Sequence, residues 1–233
     1  MLNSLPSNSV SKSSAIIRKS ELFTAGGTWT KSSKMVGDDV WITCIGGGGS
    51  GANISSSAGG GDGGEFTFRF AVDVSATSSE TVTLGAAGAA QSGTSNDGNS
   101  GGVTSFGALL SVSGGLAGQI DLDADDSGSY TGGARGGTTK ASGSSAVAEG
   151  RGQDNPCALG GNGGSSSSAA GYLNGGGGGL ILDASGTAGG RSATNAVAYG
   201  GTGYGAGGGA GRGIGSSGAG APGAMLIEWM ETL

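Results

Sequence analysis

The sequence predicts an all-β protein in which a small sandwich-like scaffold of strands carries a glycine-rich excursion. Glycine supplies 57 of the 233 residues, and glycine at this density suppresses helices. Short β-branched or alternating apolar segments, typical of strands, lie within residues 21–113 and again at 224–230. The stretch between them, residues 114–223, is dominated by Gly, Ser and Ala. Because an apolar strand follows it, we interpret it as an exposed excursion that returns to the sheet, not as a flexible linker.

Residues 1–20 differ from the rest of the chain. They are polar and Ser-rich, with isolated Leu, Val and Ile residues, and we interpret them as an arm for attachment or oligomerisation. A floppy terminus is an equal alternative. The interpretation gives two units, the arm at 1–20 and a glycine-rich β domain at 21–233.

The scaffold strands follow one another along the chain. Residues 21–31, ELFTAGGTWTK, place a Gly-Gly pair between apolar residues and predict a hairpin or strand–turn unit. Residues 40–45, VWITCI, are rich in β-branched side chains, which favour strands. Weaker strands are expected at 81–84 and 106–112, and a last strand at 224–229, AMLIEW.

The clearest periodic signal lies in residues 65–74, EFTFRFAVDV. Apolar side chains occupy every second position: Phe66, Phe68, Phe70, Val72 and Val74. This period of two predicts a strand whose five apolar side chains form one buried face.

Runs of consecutive glycine occur at 46–49, 59–61, 175–179 and 207–209. An extended glycine chain can adopt the threefold polyproline II geometry, which rises about 3.1 Å per residue. Without Cβ atoms, such helices pack side by side and exchange N–H···O and Cα–H···O contacts. The hypothesis is that the glycine runs form polyglycine II helices. Since one copy has few bulky apolar residues to bury, a homotrimer is expected to supply the missing interface.

Composition argues against several function classes. The absence of histidine removes the commonest general base, the commonest zinc ligand and every Ser-His or Cys-His nucleophile. A net charge of −6 without a basic cluster gives no support for nucleic-acid binding, and no apolar stretch is long enough to span a membrane. Cys44 and Cys157 have no metal-ligand spacing, and we expect reduced thiols, with a disulfide left open. We therefore expect no enzyme activity and no cofactor.

Five segments occur in a fixed order: FTAGGTWTK, VWITCIGGGGSG, VTLGAAGAA, GGVTSFGALLSVSGG and GAGAPGAMLIEW. This ordered set, from Phe23 to Trp229, resembles the glycine-rich domain at the ends of many bacteriophage tail-fibre and tail-appendage proteins. An acidic insertion within residues 116–160, beginning LAGQIDLDADDSGSY, departs from the family pattern. The resemblance implies a virion structural protein, made in the host cytoplasm and frequently trimeric, that binds the bacterial surface.

On this resemblance, the expected partners are the chain itself, other tail or baseplate proteins through residues 1–20, and a bacterial surface glycan or outer-membrane protein. A purely architectural role, as a capsid decoration, fibre base or tail cap, is the alternative. A glycine-helix ice-binding protein is more distant, because it would need a flat face of small residues with a strict three-residue repeat.

Candidate contact residues lie in the glycine-rich half of the chain. Tyrosines on loops make adhesive contacts, and arginines bind acidic glycans or phosphates. We expect six residues in this role: Tyr130, Tyr172, Tyr199, Tyr204, Arg135 and Arg151. The alternatives are tyrosines that pack on glycine faces or between subunits, and arginines that are simply solvated.

Asp121, Asp123 and Asp125 belong to an acidic run, DLDADDSGSY. Alternating carboxylates resemble the start of a calcium loop, but Asp126 and Gly132 stand where an EF-hand requires glycine and glutamate. A solvated acidic loop is the preferred interpretation. Paired carboxylates for glycoside cleavage are disfavoured, because the chain is poor in the aromatic residues that usually line sugar clefts.

Overall fold

The computed structural model describes residues 15–54, 58–93, 96–120, 176–180, 189–190, 193–194, 197–212 and 215–233. These residues form strands and no α-helix, which confirms the all-β class. The strands are β1 (Ile16–Phe23), β2 (Gly27–Thr30), β3 (Asp39–Ile45), β4 (Asn53–Ile54), β5 (Phe66–Asp73), β6 (Ser79–Thr83), β7 (Thr104–Phe106), β8 (Leu110–Val112), β9 (Ala193–Thr194), β10 (Gly211–Arg212) and β11 (Ala224–Thr232).

Two antiparallel four-stranded sheets form the scaffold, with the orders β1-β11-β3-β5 and β2-β6-β7-β8. The last strand, β11, pairs with both β1 and β3, as expected of a chain that returns to complete its sheet. Of the two alternatives predicted at 21–31, the structure has the strand–turn unit and not the hairpin, because β1 pairs with β11 and β2 with β6. The single strand predicted at 106–112 is two strands, since the chain turns at Gly107, whose φ is 50°.

β1 also begins earlier than the predicted domain boundary. Residues 16–20, which the sequence interpretation assigned to the arm, pair with residues 228–232 of β11. Residues 1–14 lie outside the described part of the chain. The attachment role of the arm stays a prediction.

The inner faces of the two sheets enclose an apolar core. Trp29 of β2 is fully buried and lies edge-on to Phe106 of β7 and Trp229 of β11, with ring centroids 5.6 Å and 6.1 Å apart. Such edge-to-face pairs contribute stability beyond the area that they bury. From β3, the side chains at positions 40, 42 and 44 point into the same core, as the period of two requires.

β5 contains a bulge that the sequence did not reveal. Its pairing with β3 shifts register, so that Phe68 and Arg69 together lie opposite Thr43. Arg69 has a φ of 46°, in the left-handed region, and its N–H donates to the Thr43 hydroxyl at 3.0 Å. An extra residue in one strand changes which side chains share a face of the sheet.

The exposure of β5 overturns one prediction. Val72 and Val74 are buried as expected, but Phe68 is 66% exposed and Phe70 is 52% exposed. The alternation in residues 65–74 therefore does not produce one buried face. Two of the largest apolar side chains of the scaffold instead lie at the surface, on the edge strand of the first sheet.

Beyond the sandwich, the glycine-rich segments pack into what we call the glycine bundle, formed by residues 46–53, 58–65, 85–91, 96–102, 113–120, 176–180, 197–201, 205–212 and 215–223. Residues 46–53 continue directly from β3 and lie at its centre. Their N–H groups donate to three neighbours, residues 59–65, 96–102 and 218–221. Their carbonyls accept from three others, through Gly88 of residues 85–91 and through residues 115–118 and 208–211.

The hydrogen bonds of the central segment repeat every third residue. Gly46, Gly49 and Ala52 donate to the carbonyls of Glu65, Asp62 and Gly59, each at 2.9 Å. A period of three, with each neighbour on a different side, is the pattern of polyglycine II helices, whereas a sheet has a period of two. The described glycine segments therefore have the arrangement hypothesised from the sequence. They come from both halves of the chain, so the glycine-rich excursion is not confined to residues 114–223.

Candidate binding surface

The glycine bundle has one end at the sandwich and one remote from it, which we call the distal end. Residues 46–53 leave β3 and run outward, and residues 85–91 and 205–212 run beside them in the same direction. Residues 58–65, 96–102 and 215–223 run inward and enter β5, β7 and β11. Each of these outward segments ends at the distal end, and the inward segment that follows it in the sequence begins there, so the direction of the chain reverses between the two. Surface connections on a rigid scaffold are where binding residues are most often found.

Asn53 holds several of these reversals together. Its side-chain Nδ2 donates to the carbonyl of Gly93 at 2.8 Å and to that of Gly215 at 2.6 Å. Its backbone exchanges two hydrogen bonds with Asn96, at 2.9 Å and 3.0 Å. An amide is suited to this position because its NH₂ group carries two donors. The fully buried Asn53 thus fixes three distal chain segments relative to the central one.

Further side-chain hydrogen bonds order the same end of the bundle. The carboxylate of Asp97 accepts from the N–H of Ile120 at 2.9 Å, and the hydroxyl of Ser50 accepts from the N–H of Asn99 at 2.8 Å. Asn99 also donates from Nδ2 to the carbonyl of Ala89 at 2.8 Å. These short polar side chains bond to main chain, so the distal end is tied to the bundle rather than loosely attached to it.

The structure places two of the six predicted contact residues, and it separates them. The Tyr199 side chain is 62% exposed, and its carbonyl accepts from Gly209 on an outward-running segment. Tyr204 lies at the sandwich end, where its carbonyl accepts from Leu180 and Gly205 follows beside Ile45. At about 3.1 Å per residue, the two tyrosines are roughly 15 Å apart along the bundle. They do not form one contact patch.

The remaining predicted site residues lie outside the described part of the chain. These are Tyr130, Tyr172, Arg135 and Arg151, together with the calcium candidates Asp121, Asp123 and Asp125. Their proposed roles stay predictions. Among the residues that the structure does describe, no group of three or more His, Cys, Asp or Glu side chains could hold a metal ion.

A charged cluster, unnoticed in the sequence, lies on the outer face of the first sheet. Glu228 of β11 is only 8% exposed, and its oxygens lie 3.5 Å from Arg18 of β1 and 3.4 Å from Arg69 of β5. The Arg69 guanidinium also lies over the Trp41 ring, 6.0 Å from its centroid. Two guanidinium groups offset the cost of burying one carboxylate. The cluster therefore fixes the Arg69 side chain on the outer face, beside the bulge in β5.

Cys44 is a buried thiol within the sandwich core. Burial, and secondarily the negative charge of Glu65, raises its pKa to about 12. A thiol in this environment is protonated and unreactive at neutral pH. Cys157, the other cysteine, lies outside the described residues, so the predicted redox state of the pair rests on the sequence alone.

Sequence reasoning missed Asn53, Glu228 and the exposed pair Phe68 and Phe70. The first two have a signal in retrospect, because a lone asparagine follows the small residues GGGGSGA at 46–52 and a lone glutamate interrupts the apolar strand at 224–229. The bulge in β5 has none, because Arg69 is an ordinary polar residue in a regular alternation.

Comparison with known proteins agrees with this architecture. A family model described as a glycine-rich domain matches residues 24–230, which includes the strands from β2 to β10, nearly all of β11 and the glycine bundle. A search of curated proteins finds no match. No helix among the described residues is long and apolar enough to cross a membrane. The chain belongs to the glycine-rich domain family.

Proposed function

We propose that the protein is a structural component of a bacteriophage particle, a tail-fibre or tail-tip adhesin that attaches to a molecule on the bacterial surface. The resemblance of five ordered segments to tail-appendage domains supports the particle. The distal end of the glycine bundle supports adhesion, because a rigid base of main chain carries several chain reversals side by side. Binding is passive in this proposal and involves no covalent step.

The observation that carries the proposal is the way in which Asn53 clamps the distal reversals to the centre of the bundle. Preorganised contact segments lose less conformational entropy on binding. Connections at a surface also tolerate sequence change, which suits a protein whose receptor varies. The residues that contact the receptor are then distal residues, with Tyr199 as an exposed candidate.

In this proposal, the sandwich end of the molecule attaches the protein to the particle. Strand β1 includes residues 16–20 of the arm and lies in the sandwich, where it begins at the end remote from the distal reversals. In the proposal, residues 1–20 contact other tail or baseplate proteins, and a homotrimer presents its distal ends together. Several copies acting at once raise the avidity for a surface that repeats its receptor.

Site-specific blocking of the two ends tests the proposal. Ser92 is exposed at the distal end, and Ser33 is exposed in the loop between β2 and β3 at the other end. In a Cys157→Ser background, Ser92→Cys or Ser33→Cys is coupled to a polyethylene glycol maleimide, and retention of the labelled protein on bacterial cells is measured. We expect retention by unmodified protein, loss after modification at position 92 and no loss at position 33.

Three outcomes contradict adhesion through the distal end. Retention only on phage particles, with none on any strain of a bacterial panel, would favour the architectural alternative. Loss of cell binding after modification at position 33 alone would move the contact to the sandwich. Release of oligosaccharides from a bacterial polysaccharide would identify an enzyme instead of a passive adhesin.

A further inference from the structure

Strand β1 is held in the molecule by a single neighbouring strand. It forms one edge of the first sheet and pairs with β11 over its full length, from Ile16 opposite Thr232 to Phe23 opposite Met225. In the part of the chain that the structure describes, no other strand lies beside it. Seven of its eight residues are exposed or half-buried, and only Phe23 is buried. Separation of β1 from the sheet therefore removes one side chain from the core.

Strand β11 is fixed in its place by contacts other than those with β1. On its other side, β3 pairs with residues 224–228. Beyond β3, the N–H of Thr232 donates to the carbonyl of Lys34 at 3.0 Å, and the N–H of Val36 donates to the carbonyl of Met230 at 2.8 Å. The edge of β11 that faces β1, which we call the outer edge, is therefore a preformed partner for an antiparallel strand.

Charge makes the outer edge selective for a basic strand. β11 carries two negative charges, Glu228 and Glu231, whereas β1 carries two positive charges and one negative charge. The Arg18 guanidinium lies 3.5 Å from the Glu228 carboxylate. Opposite charges on neighbouring strands stabilise the pair, and like charges destabilise it. Since Arg18 and Lys19 are the only adjacent basic residues in a chain whose net charge is −6, the outer edge favours the sequence of β1.

A short exposed loop connects β1 to the rest of the sandwich. It consists of Thr24, Ala25 and Gly26, all exposed, and crosses from the first sheet to β2 in the second. Glycine adopts a wide range of backbone conformations, so the pair Gly26 and Gly27 allows this loop to straighten. Three extended residues span about 10 Å. A straightened loop therefore carries β1 away from its own β11 without moving β2.

We propose that copies of this chain exchange β1, so that β1 of one copy pairs with the outer edge of β11 in a second copy, in the register seen here within one chain. Exchange of an identical element between copies re-forms the contacts that it breaks. Phe23 of each copy then fills the core position of Phe23 in the other, and Arg18 lies beside the other copy's Glu228. A second copy is the occupant because it supplies both the apolar anchor and the basic pair in this register.

The exchange joins copies through their sandwiches and leaves the distal end of each glycine bundle free. It goes beyond the proposed function, because it does not depend on receptor binding. Copies that exchange β1 but ignore bacterial cells would refute adhesion and leave the exchange standing. A chain that binds cells but never exchanges β1 would refute the exchange alone.

Amide hydrogen exchange within β11 tests whether β1 separates from a folded sandwich. Successive amides of an antiparallel strand face opposite neighbours, so the amides of residues 227 and 229 face β1 and those of 226 and 228 face β3. The first pair should exchange at least roughly tenfold faster than the second. The control is the full chain with an oxidised Leu22→Cys, Leu226→Cys pair, which joins β1 to β11 at directly opposed positions and should remove the difference. Equal rates in the chain without this disulfide would contradict the proposal.

Mixing of two single-cysteine variants tests the exchange between copies. In a Cys157→Ser background, chains with Leu22→Cys are incubated with chains with Leu226→Cys below the melting temperature and then oxidised. We expect a species of twice the chain mass in which peptide mapping finds residue 22 of one chain linked to residue 226 of the other. Val197→Cys replaces Leu226→Cys in the control, because Val197 is 68% exposed and lies on the glycine bundle. Equal yields of the linked species in the two mixtures, or none in the first, would overturn the proposal.

Discussion

A single methyl group at the centre of the glycine bundle should destabilise the whole protein. Gly48 donates to the carbonyl of Ala221 and accepts from the N–H of Gly88, each at 2.8 Å. A Cβ built on Gly48 would lie closer than 3.0 Å to backbone atoms of Gly205 and Ala206. Backbone atoms cannot move aside as a flexible side chain can, so Gly48→Ala must push a neighbouring segment away.

The loss of folding free energy expected for Gly48→Ala is the sum of three contributions. Overpacking a close-packed interior costs about 1–3 kcal/mol, and each backbone hydrogen bond lost when a segment shifts costs about 1 kcal/mol more. Alanine also lowers the conformational entropy of the unfolded chain, which stabilises the folded state by about 0.4–1 kcal/mol. The net loss for Gly48→Ala is about 3 kcal/mol. For a chain of this size, that lowers the melting temperature by roughly 6–12 °C.

Gly26→Ala is the matched control. A Cβ on Gly26 would lie 3.5 Å from the carbonyl oxygen of Val82, an ordinary van der Waals distance, so we expect a change in melting temperature of no more than about 2 °C. Thermal unfolding followed by circular dichroism measures both variants. Equal melting temperatures for Gly48→Ala and Gly26→Ala would refute the close approach of main chain to main chain.

Three further predictions concern single side chains. Asn53→Ala removes both donors of the distal clamp and should lower the free energy of unfolding by about 2–3 kcal/mol; a loss below about 0.5 kcal/mol in urea titrations would contradict the clamp. Cys44, whose pKa burial raises to about 12, should resist iodoacetamide at pH 8 in the native protein and react once urea unfolds it; peptide mapping that finds native alkylation would show an open core. A hydrogen bond from the N–H of Ser75 lowers the pKa of the Asp73 carboxyl below its ordinary 3.8, so its stabilising contribution is present above that value and is lost as the pH falls through the lower folded-state pKa. The melting temperature of Asp73→Asn should therefore depend less on pH than that of the wild type below about pH 4, and parallel profiles would contradict this.

The strands with a clear side-chain pattern of their own were predictable. The segment VWITCI became β3 and AMLIEW the first part of β11, nearly with the predicted bounds. The exposed face of β5 was not predictable, because it depends on a register shift against β3 and a register is a property of two strands. For the same reason, the partner sheets of β1 and β2 could not be read from the sequence at 21–31.

The glycine bundle was predictable in its local geometry but not in its packing. Glycine density indicated threefold helices, yet glycine has no side chain by which a sequence could specify its neighbours. The clamp by Asn53 depends on residues 40 and 162 positions away in the chain. Likewise, the separation of Tyr199 from Tyr204 follows from the direction of two neighbouring segments, which composition does not encode.

Amide hydrogen exchange can compare the order of residues 46–53 with that of β3. Because this bare main chain is packed against six neighbouring segments, it should be as ordered as the sheet from which it continues. The amides of the central segment should then exchange as slowly as those of β3, and as a single cooperative unit. Exchange at the rate of an unfolded peptide in residues 46–53, while β3 stays protected, would contradict it.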